Sequence, residues 1–233
     1  MPPPLLLVSL GNPGPRYTLT RHNAGHIVLT SLASLLGCPT FFPSHYSPGL
    51  STSTTQAQWT LHQCPTLMNV SGPSILSTYR AWLASSASTP LTTSEPFGPF
   101  SSTPPTPTTS PPARPRLVIL HDSLEDAPGH VRVQPSGATV SARGHNGIKS
   151  LLDSIASSTR RAAKGKGSGG GAKAGGGNTG VDFVRINIGI GRQQSRDPDR
   201  VAGYVLEDFR QGELEVLRGR TTAEVLRVLK GLK

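Results

Sequence analysis

Five polar residues stand at positions where an α/β protein can build a site. Asn12, Asn69 and Asp122 each follow a stretch that is predicted to form a buried strand. Asn146 stands at a predicted helix start, and His22 comes immediately before the first predicted helix. Ligands of open α/β sheets bind outside the ends of the strands. The set would bring an imidazole, a carboxylate and three amides to such an edge, where they could exchange protons and form hydrogen bonds.

Each of these residues also has a purely structural explanation. An Asn in a glycine turn, such as Asn12, more often serves the geometry of the turn. An Asp after a strand is often a helix cap or turn former, and a His beside a helix N-terminus is commonly just a hydrogen-bonded polar residue. Taken singly, none of the five residues assigns a function.

Other kinds of catalytic or binding site fit the residues poorly. His22 and His26 have the spacing of a zinc-binding HExxH pair, but position 23 is Asn and no third ligand is evident. The segment Gly11–Gly14 is not GxGxxG, and its Pro13 removes a backbone donor that a phosphate cradle would use. The chain also has no GxSxG elbow for a serine nucleophile. Zinc hydrolysis, dinucleotide binding and P-loop chemistry are therefore not expected.

The elements that must position these residues alternate between strands and helices. Strands are predicted at Leu5–Leu10, Trp59–Cys64, Arg116–His121, Val131–Val133 and Val181–Ile190. Apolar residues at helical spacing predict a helix from Asn23 to Leu36, and Gly144–Gly147 opens another. Thr221 and Glu224 fit a capping box at the start of the closing helix. This order predicts an α/β fold, a three-layer α/β/α sandwich with a mixed, mostly parallel sheet.

Two low-complexity stretches interrupt this order. Ser88–Pro115 is rich in Ser, Thr and Pro with almost no charge, so it cannot bury enough apolar surface to offset the entropy of ordering. Arg160–Gly180 has the composition of a flexible Lys/Gly linker. We therefore expect a single domain over residues 1–233, with insertions at 88–115 and 160–180.

Charge and composition favour an intracellular protein with a phosphate-bearing partner. The net charge is +10, part of it in the 160–180 stretch. Only Cys38 and Cys64 occur, so neither a disulfide framework nor a cysteine zinc site is expected. No run is long enough for a membrane helix, and Met1–Pro4 lacks the pattern of a secretory signal or a transit peptide. We expect a soluble protein, cytoplasmic or mitochondrial, with no membrane partner.

The segments that carry the polar residues match the motifs of one family, in order along the chain. They are Val8–Gly14 with Tyr17, Thr20–Gly25, Pro65–Gly72, His121–Leu124 with Pro128–Gly129, Gly144–Lys149, and Ile188–Gly191 with Val201–Leu206. On these motifs the chain resembles the bacterial-type peptidyl-tRNA hydrolase family. The resemblance implies hydrolysis of the ester that joins a peptide to the terminal ribose of tRNA, with tRNA as the partner and no metal or organic cofactor.

The same resemblance implies catalytic roles for His22, Asp122 and Asn12. His22 would be the general base that takes a proton from water, which suits an imidazole with a pKa of about 6.5. Asp122 would accept the other ring N–H and so fix the tautomer. Asn12 would help to hold the water and to stabilise the oxyanion.

Four further residues would bind the peptide part of the substrate. Asn69 and Asn146 would pair with its carbonyl and amide groups, since amides donate and accept without adding charge. Tyr17 and Met68 would line the same cleft, although a core position suits Met68 equally well.

The positions that would meet tRNA depart from the family. Where relatives carry a Lys and an Arg that clamp a terminal phosphate, this chain has Gln134 and Asn187. Each has an Arg two residues earlier, Arg132 and Arg185, and residues i and i+2 of a strand share a face. The charge is therefore expected to be displaced rather than lost. Further candidates for tRNA contact are Arg143 and Lys149, although a solvated charge is an equally good explanation for any single one.

Two functions remain open on the sequence alone. The first is an active esterase that works as a monomer. The alternative is a catalytically silent relative that kept the fold for RNA binding, as a splicing or ribosome-associated factor. Such a relative has little reason to keep His22, Asp122 and all three asparagines, which favours the enzyme.

Overall fold

The computed structural model describes residues 4–46, 48–54, 58–87, 116–135, 144–165, 181, 183–193 and 197–232. Its strands are β1 (Leu5–Ser9), β2 (Phe42–Pro43), β3 (Leu50–Ser53), β4 (Trp59–Gln63), β5 (Arg116–Ser123), β6 (Val131–Pro135) and β7 (Phe183–Gly189). They form one sheet in the order β2-β3-β4-β1-β5-β7-β6.

The centre of this sheet is parallel and both of its edges are antiparallel. Strand β1 pairs in parallel with β4 and β5, and β5 pairs in parallel with β7. Strands β2 and β3 continue the sheet antiparallel on one side, and β6 closes it antiparallel on the other. The predicted α/β fold with a mixed sheet is confirmed. The short edge strands β2 and β3 were not predicted.

Helices cover both faces of the sheet. They are α1 (Ala24–Leu35), α2 (Ser71–Ala87), α3 (Asn146–Gly165), α4 (Pro198–Leu206), α5 (Gln211–Val216) and α6 (Thr222–Gly231). Because side chains alternate along a strand, Leu5 and Leu7 of β1 pack in one core with α1, α5 and α6. Leu6 and Val8 point the other way and pack with α2 and α3. These two cores confirm the three-layer arrangement.

The capping box predicted at Thr221 is wrong. A π-helical turn, Leu217–Thr221, joins α5 directly to α6, so no free helix N-terminus exists there to be capped. The Thr221 hydroxyl instead donates to the carbonyl oxygen of Gly129 at 2.9 Å, and Glu224 accepts from Arg227. Such a continuation of one helix into the next leaves no signal in the sequence pattern.

Helix α3 extends into the stretch 160–180, where a linker was predicted. Helix α3 runs through Gly165, since the Arg, Ala and Lys residues of 160–164 are all good helix formers. Residues 166–180, like the insertion predicted at 88–115, lie outside the described residues. Within the described ranges, no helix combines the length and the apolar character that a membrane crossing requires.

The parallel centre of the sheet determines where a site can form. Strands β1, β4 and β5 run in the same direction, so their carboxyl ends lie at one edge of the sheet. Asn12 follows β1 after two residues, and Asp122 is the next-to-last residue of β5. The fold therefore presents the polar loops of the predicted site along a common edge.

Candidate active site

An imidazole and a carboxylate form the centre of the site. His22 lies in a 3-10 turn, Arg21–Asn23, that leads into α1, and its Nδ1 donates to Asp122 Oδ1 at 2.8 Å. Asp122 is only 3% exposed, whereas the His22 side chain keeps 14% of its surface exposed. Because Nδ1 is engaged with the carboxylate, Nε2 is the nitrogen that can accept a proton from a water molecule. The predicted pairing of His22 with Asp122 is thus present in the geometry.

A second imidazole shares the same carboxylate oxygen. His145 Nε2 lies 3.0 Å from Asp122 Oδ1, and its Nδ1 accepts the backbone N–H of Ile148 at 3.3 Å. That backbone donor fixes the tautomer, so His145 Nε2 carries the proton it donates to Asp122. No role was predicted for His145. His145 lies in the family motif Gly144–Gly147, so the motif could have indicated it, but a role was predicted only for Asn146.

Opposing forces set the charge states of the cluster. Burial lowers the pKa of His22, but the charge of Asp122 and the hydrogen bond to it outweigh burial and raise that pKa above 6.5. Burial favours the neutral form of Asp122, yet His22 and His145 hold its pKa well below its usual range. His121, whose ring lies 4.5 Å from that of His145, has its pKa lowered to about 3, chiefly by burial. At neutral pH the site therefore combines an ionised Asp122 and a neutral His121 with a His22 that binds a proton more readily than a free imidazole.

Asn12 is held in place through both its side chain and its backbone. Its Oδ1 accepts the backbone N–H of Met68 at 3.0 Å, which leaves its Nδ2 group as the donor for a substrate. Its backbone N–H donates to Asn23 Oδ1 at 2.8 Å, and Asn23 Nδ2 donates back to the Asn12 carbonyl at 3.0 Å. Asn23 is buried and was not predicted to have a role. Its reciprocal bonds fix the loop on which Asn12 stands.

Packing joins the segment of Asn69 to the segment of Asn146. Met68 is buried, and a Cβ atom added to Gly147 would lie 2.7 Å from its Sδ atom and 3.1 Å from Cε1 of His145. A larger residue at position 147 would therefore require these packed side chains to shift. Asn69 follows Met68 and Asn146 precedes Gly147 in the sequence, and both asparagines are exposed.

Tyr17 is the predicted cleft residue with the weakest connection to this group. It ends the 3-10 turn Pro15–Tyr17, is half-buried, and has the Arg16 guanidinium 5.9 Å from its ring centre. None of the hydrogen bonds found among the described residues joins its phenol to His22 or Asp122.

A basic cavity of about 250 Å³ adjoins the carboxylate. Asp122 and His145 form part of its lining, together with the guanidinium groups of Arg132, Arg185 and Arg192. Gln134 and Asn187 line the same cavity, because Arg132 pairs with Asn187 and Gln134 with Arg185 across strands β6 and β7. Arg132 and Arg185 therefore line the same cavity as Gln134 and Asn187, the two positions that lack the expected basic side chains.

The basic residues differ in how they are held. Arg132 donates from Nε and Nη2 to the two oxygens of Asp126, at 2.6 and 2.8 Å, whereas Arg185 is 2% exposed. Lys149 lies exposed on α3, and Arg143 falls outside the described residues. Arg132 thus reaches the cavity with its charge already paired, which no sequence pattern indicated.

Two alternative sites bear on the assignment. A larger cavity, of about 400 Å³, is lined by Asn12 and Asn23 but by neither His22 nor Asp122. The Nδ1 atom of His26, which stands four residues after His22, lies 2.7 Å from the hydroxyl oxygen of Ser9. Ligand atoms of His22, Asp122 and His145 lie within 4.8 Å of one another, a spacing that a metal ion could bridge. Two hydrogen bonds account for that spacing without a metal ion, because His22 Nδ1–H and His145 Nε2–H both donate to Asp122 Oδ1.

Comparison with known proteins extends the similarity over nearly the whole chain. The family model described as peptidyl-tRNA hydrolase matches residues 6–88. A peptidyl-tRNA hydrolase of Solidesulfovibrio magneticus is 31% identical over 232 residues, covering 94% of this chain and 83% of that protein. One from Mycobacteroides abscessus is 30% identical and covers 95% and 88%. A crystal structure of a single-residue variant of the Acinetobacter baumannii peptidyl-tRNA hydrolase matches with a TM-score of 0.65 at 26% identity, covering 100% of this chain and 89% of that one.

Proposed function

The chain belongs to the peptidyl-tRNA hydrolase family, and we propose that it hydrolyses the ester bond of peptidyl-tRNA with His22 as the general base. The observation that carries this mechanism is the 2.8 Å hydrogen bond from His22 Nδ1 to the buried Asp122 carboxylate. That bond fixes one tautomer and leaves Nε2 to take a proton from water. The products are a peptide carboxylate and a tRNA with a free terminal hydroxyl.

In the first step His22 Nε2 accepts a proton as the water oxygen attacks the ester carbonyl carbon. The imidazolium that forms is stabilised by Asp122, which stays ionised because its pKa lies far below neutral pH. In the second step the imidazolium returns the proton to the departing ribose oxygen, and the ester C–O bond breaks. His145 donates a second hydrogen bond to Asp122 and so holds the carboxylate in position during both steps.

Amide groups would stabilise the oxyanion and bind the peptide. The Asn12 Nδ2 group is available for this, since its Oδ1 is occupied by Met68 N–H. Loss of one such donor typically raises the barrier by about 3 kcal/mol. Asn69 and Asn146 would pair with the backbone of the peptide and Tyr17 would border it, so that the enzyme reads a peptide without regard to its sequence.

The basic cavity would receive phosphate groups of the tRNA. Arg132 and Arg185 would supply its charge in place of Gln134 and Asn187, and Lys149 and Arg143 would add contacts near Asn146. We propose that the chain acts as a monomer, because one chain supplies every group named. We place its action in the cytoplasm or the mitochondrion, where translation produces peptidyl-tRNA.

The decisive assay measures release of peptide from an N-acylated aminoacyl-tRNA by the wild-type protein and by His22→Ala. We expect turnover by the wild type and a loss of about 10³-fold in kcat for His22→Ala, since a general base contributes 10²–10⁴-fold. Equal rates for both proteins would contradict the mechanism. No turnover by either, together with retained tRNA binding, would instead favour the silent RNA-binding relative.

A further inference from the structure

We propose that Arg21 is a positioning residue that couples helix α4, a wall of the basic cavity, to His22. Arg21 immediately precedes His22 in the turn that leads into α1. This proposal rests on the proposed function and extends it, because it links tRNA binding in the basic cavity to the position of the general base, His22.

The Arg21 side chain is buried in a clamp made by the C-terminal part of the chain. Its guanidinium carbon lies 4.8 Å from the ring centre of Tyr204 and 5.1 Å from that of Phe209. Its Nη1 donates to both carboxylate oxygens of Glu213 at 3.1 Å, and the Arg21 side chain is only 8% exposed. A planar cation between two aromatic rings and a carboxylate is held more rigidly than a surface ion pair.

The clamp connects to the basic cavity through α4. Pro198 and Val201 of this helix line the cavity, and Tyr204 follows Val201 by three residues, so Val201 and Tyr204 are neighbours on the helix surface. The Tyr204 hydroxyl donates to the carbonyl oxygen of Ile190 at 2.6 Å, just beyond β7. A phosphate-bearing ligand that presses on Val201 therefore acts on the ring that covers Arg21.

Backbone bonds connect the same clamp to the turn of His22. The backbone N–H of Arg21 donates to the Glu207 carbonyl at 2.9 Å, and that of Phe209 donates to the Leu19 carbonyl at 2.9 Å. The segment after α4 thus lies against the turn on one side, while Asp122 holds the His22 ring on the other. A shift of α4 moves the backbone of His22 relative to its carboxylate partner.

The test compares two substrates that share the same ester. One is a full-length N-acylated aminoacyl-tRNA, and the other carries the same acyl-aminoacyl group on a CCA trinucleotide, which lacks the tRNA body. The variants are Arg21→Lys, which keeps the charge but loses the stacking plane, and Glu213→Gln, which removes the charge partner. Glu224→Gln is the matched control, because it breaks the exposed Glu224–Arg227 pair on α6, away from His22.

We expect both clamp variants to lose about tenfold in kcat on the full-length tRNA, with KM changed less than twofold, because Arg21 is buried and does not bind tRNA itself. Their rates on the trinucleotide should stay within twofold of the wild type, and Glu224→Gln should match the wild type on both substrates. Equal losses on the two substrates would show a static structural role and overturn the coupling, as would unchanged rates. Should Arg21→Lys not fold, as judged by its thermal melt, Glu213→Gln carries the test. Inactivity of the wild type on both substrates would instead contradict the proposed function.

Discussion

Two groups of histidines lie along this sheet, and their surroundings give them opposite properties. In the active-site group, His22 and His145 donate to one oxygen of Asp122. In the second group, His26 is bonded to the Ser9 hydroxyl and His62 to the Ser51 hydroxyl, at 2.7 and 2.8 Å. The histidines of both groups are hydrogen-bonded to polar side chains, but only the first group contains a carboxylate.

The carboxylate decides which group can do proton chemistry. The pKa of His26 is lowered to about 4 by burial and by the nearby His62, and that of His62 to about 4 by burial. Burial acts on His22 in the same direction, yet Asp122 reverses the outcome and raises its pKa. A neutral serine partner gives an imidazole a hydrogen bond without favouring its protonation, whereas an ionised carboxylate partner raises its pKa and makes it a stronger base.

The largest expected effect follows from removing that carboxylate with Asp122→Asn. We expect kcat to fall by about 10²–10³-fold, because an amide no longer stabilises the imidazolium and can select the wrong tautomer. The remaining activity should have its acidic limb at lower pH than the wild type, since His22 loses the charge that raises its pKa. A pH–rate profile of kcat/KM measures both effects, and an unchanged acidic limb would contradict the comparison.

The second histidine group should instead affect stability in acid. An unfolded histidine titrates near 6.5 and the folded His26 and His62 near 4, so the unfolded state binds more protons between these values. Stability is then fully present above about pH 6.5 and decreases as the pH falls towards 4, by about 2 kcal/mol per histidine at pH 5. Urea unfolding at pH 7 and pH 5 tests this. His26→Gln and His62→Gln should each show a smaller loss between the two pH values than the wild type, whatever their stability at pH 7, and an equal loss would refute the assignment.

A smaller effect is expected from His145→Phe, which removes one N–H from Asp122 but keeps a ring beside His121. With one donor fewer, Asp122 interacts more strongly with His22, so the pKa of His22 should rise and the acidic limb of the pH–rate profile should shift upward. We expect a loss of about tenfold in kcat at pH 7 from poorer positioning of the carboxylate. His145→Gln, which can still donate an amide N–H, should recover part of the rate. Identical profiles for Phe and Gln would mean that the shared hydrogen bond is unimportant.

The smallest effect should come from deleting 88–115, which the sequence predicts to be an insertion in a single domain. The deletion joins α2 to β5 and removes a stretch whose Ser, Thr and Pro composition cannot offset the entropy of ordering. We expect cooperative melting and kcat within twofold of the wild type. Loss of cooperative melting, measured by circular dichroism, would show that the segment belongs to the fold.

Much of the fold could be predicted because its central strands are short apolar runs that end in turn residues. Strands β1, β4, β5 and β7 fall within about two residues of their predicted ranges. The edge strands β2 and β3 escaped prediction, because Phe42–Pro43 and Leu50–Ser53 are too short to show an alternation. Residues 217–221 continue one helix into the next without any change in composition, so the helical pattern alone could not place that junction.

The candidate site was predictable where a motif carried it and not where tertiary contacts created it. The pairing of His22 with Asp122 was expected from family motifs 100 residues apart. The second donor to Asp122, His145, was not, since only the fold reveals that its ring reaches the same oxygen. Likewise the alternation of strands placed Arg132 on the cavity, but its bonds to Asp126 depend on a turn whose geometry the sequence does not specify.

The measurement that tests the central claim most directly is an NMR titration of the His22 imidazole in the wild type and in Asp122→Asn. The protein holds His22 as a base through one ionised partner, so its pKa should lie above 6.5 in the wild type and fall below that value in the variant. His26 and His62 should stay neutral down to about pH 5 in both proteins. A His22 that titrates below 6.5 in the wild type, or at the same pH in both proteins, would contradict the account.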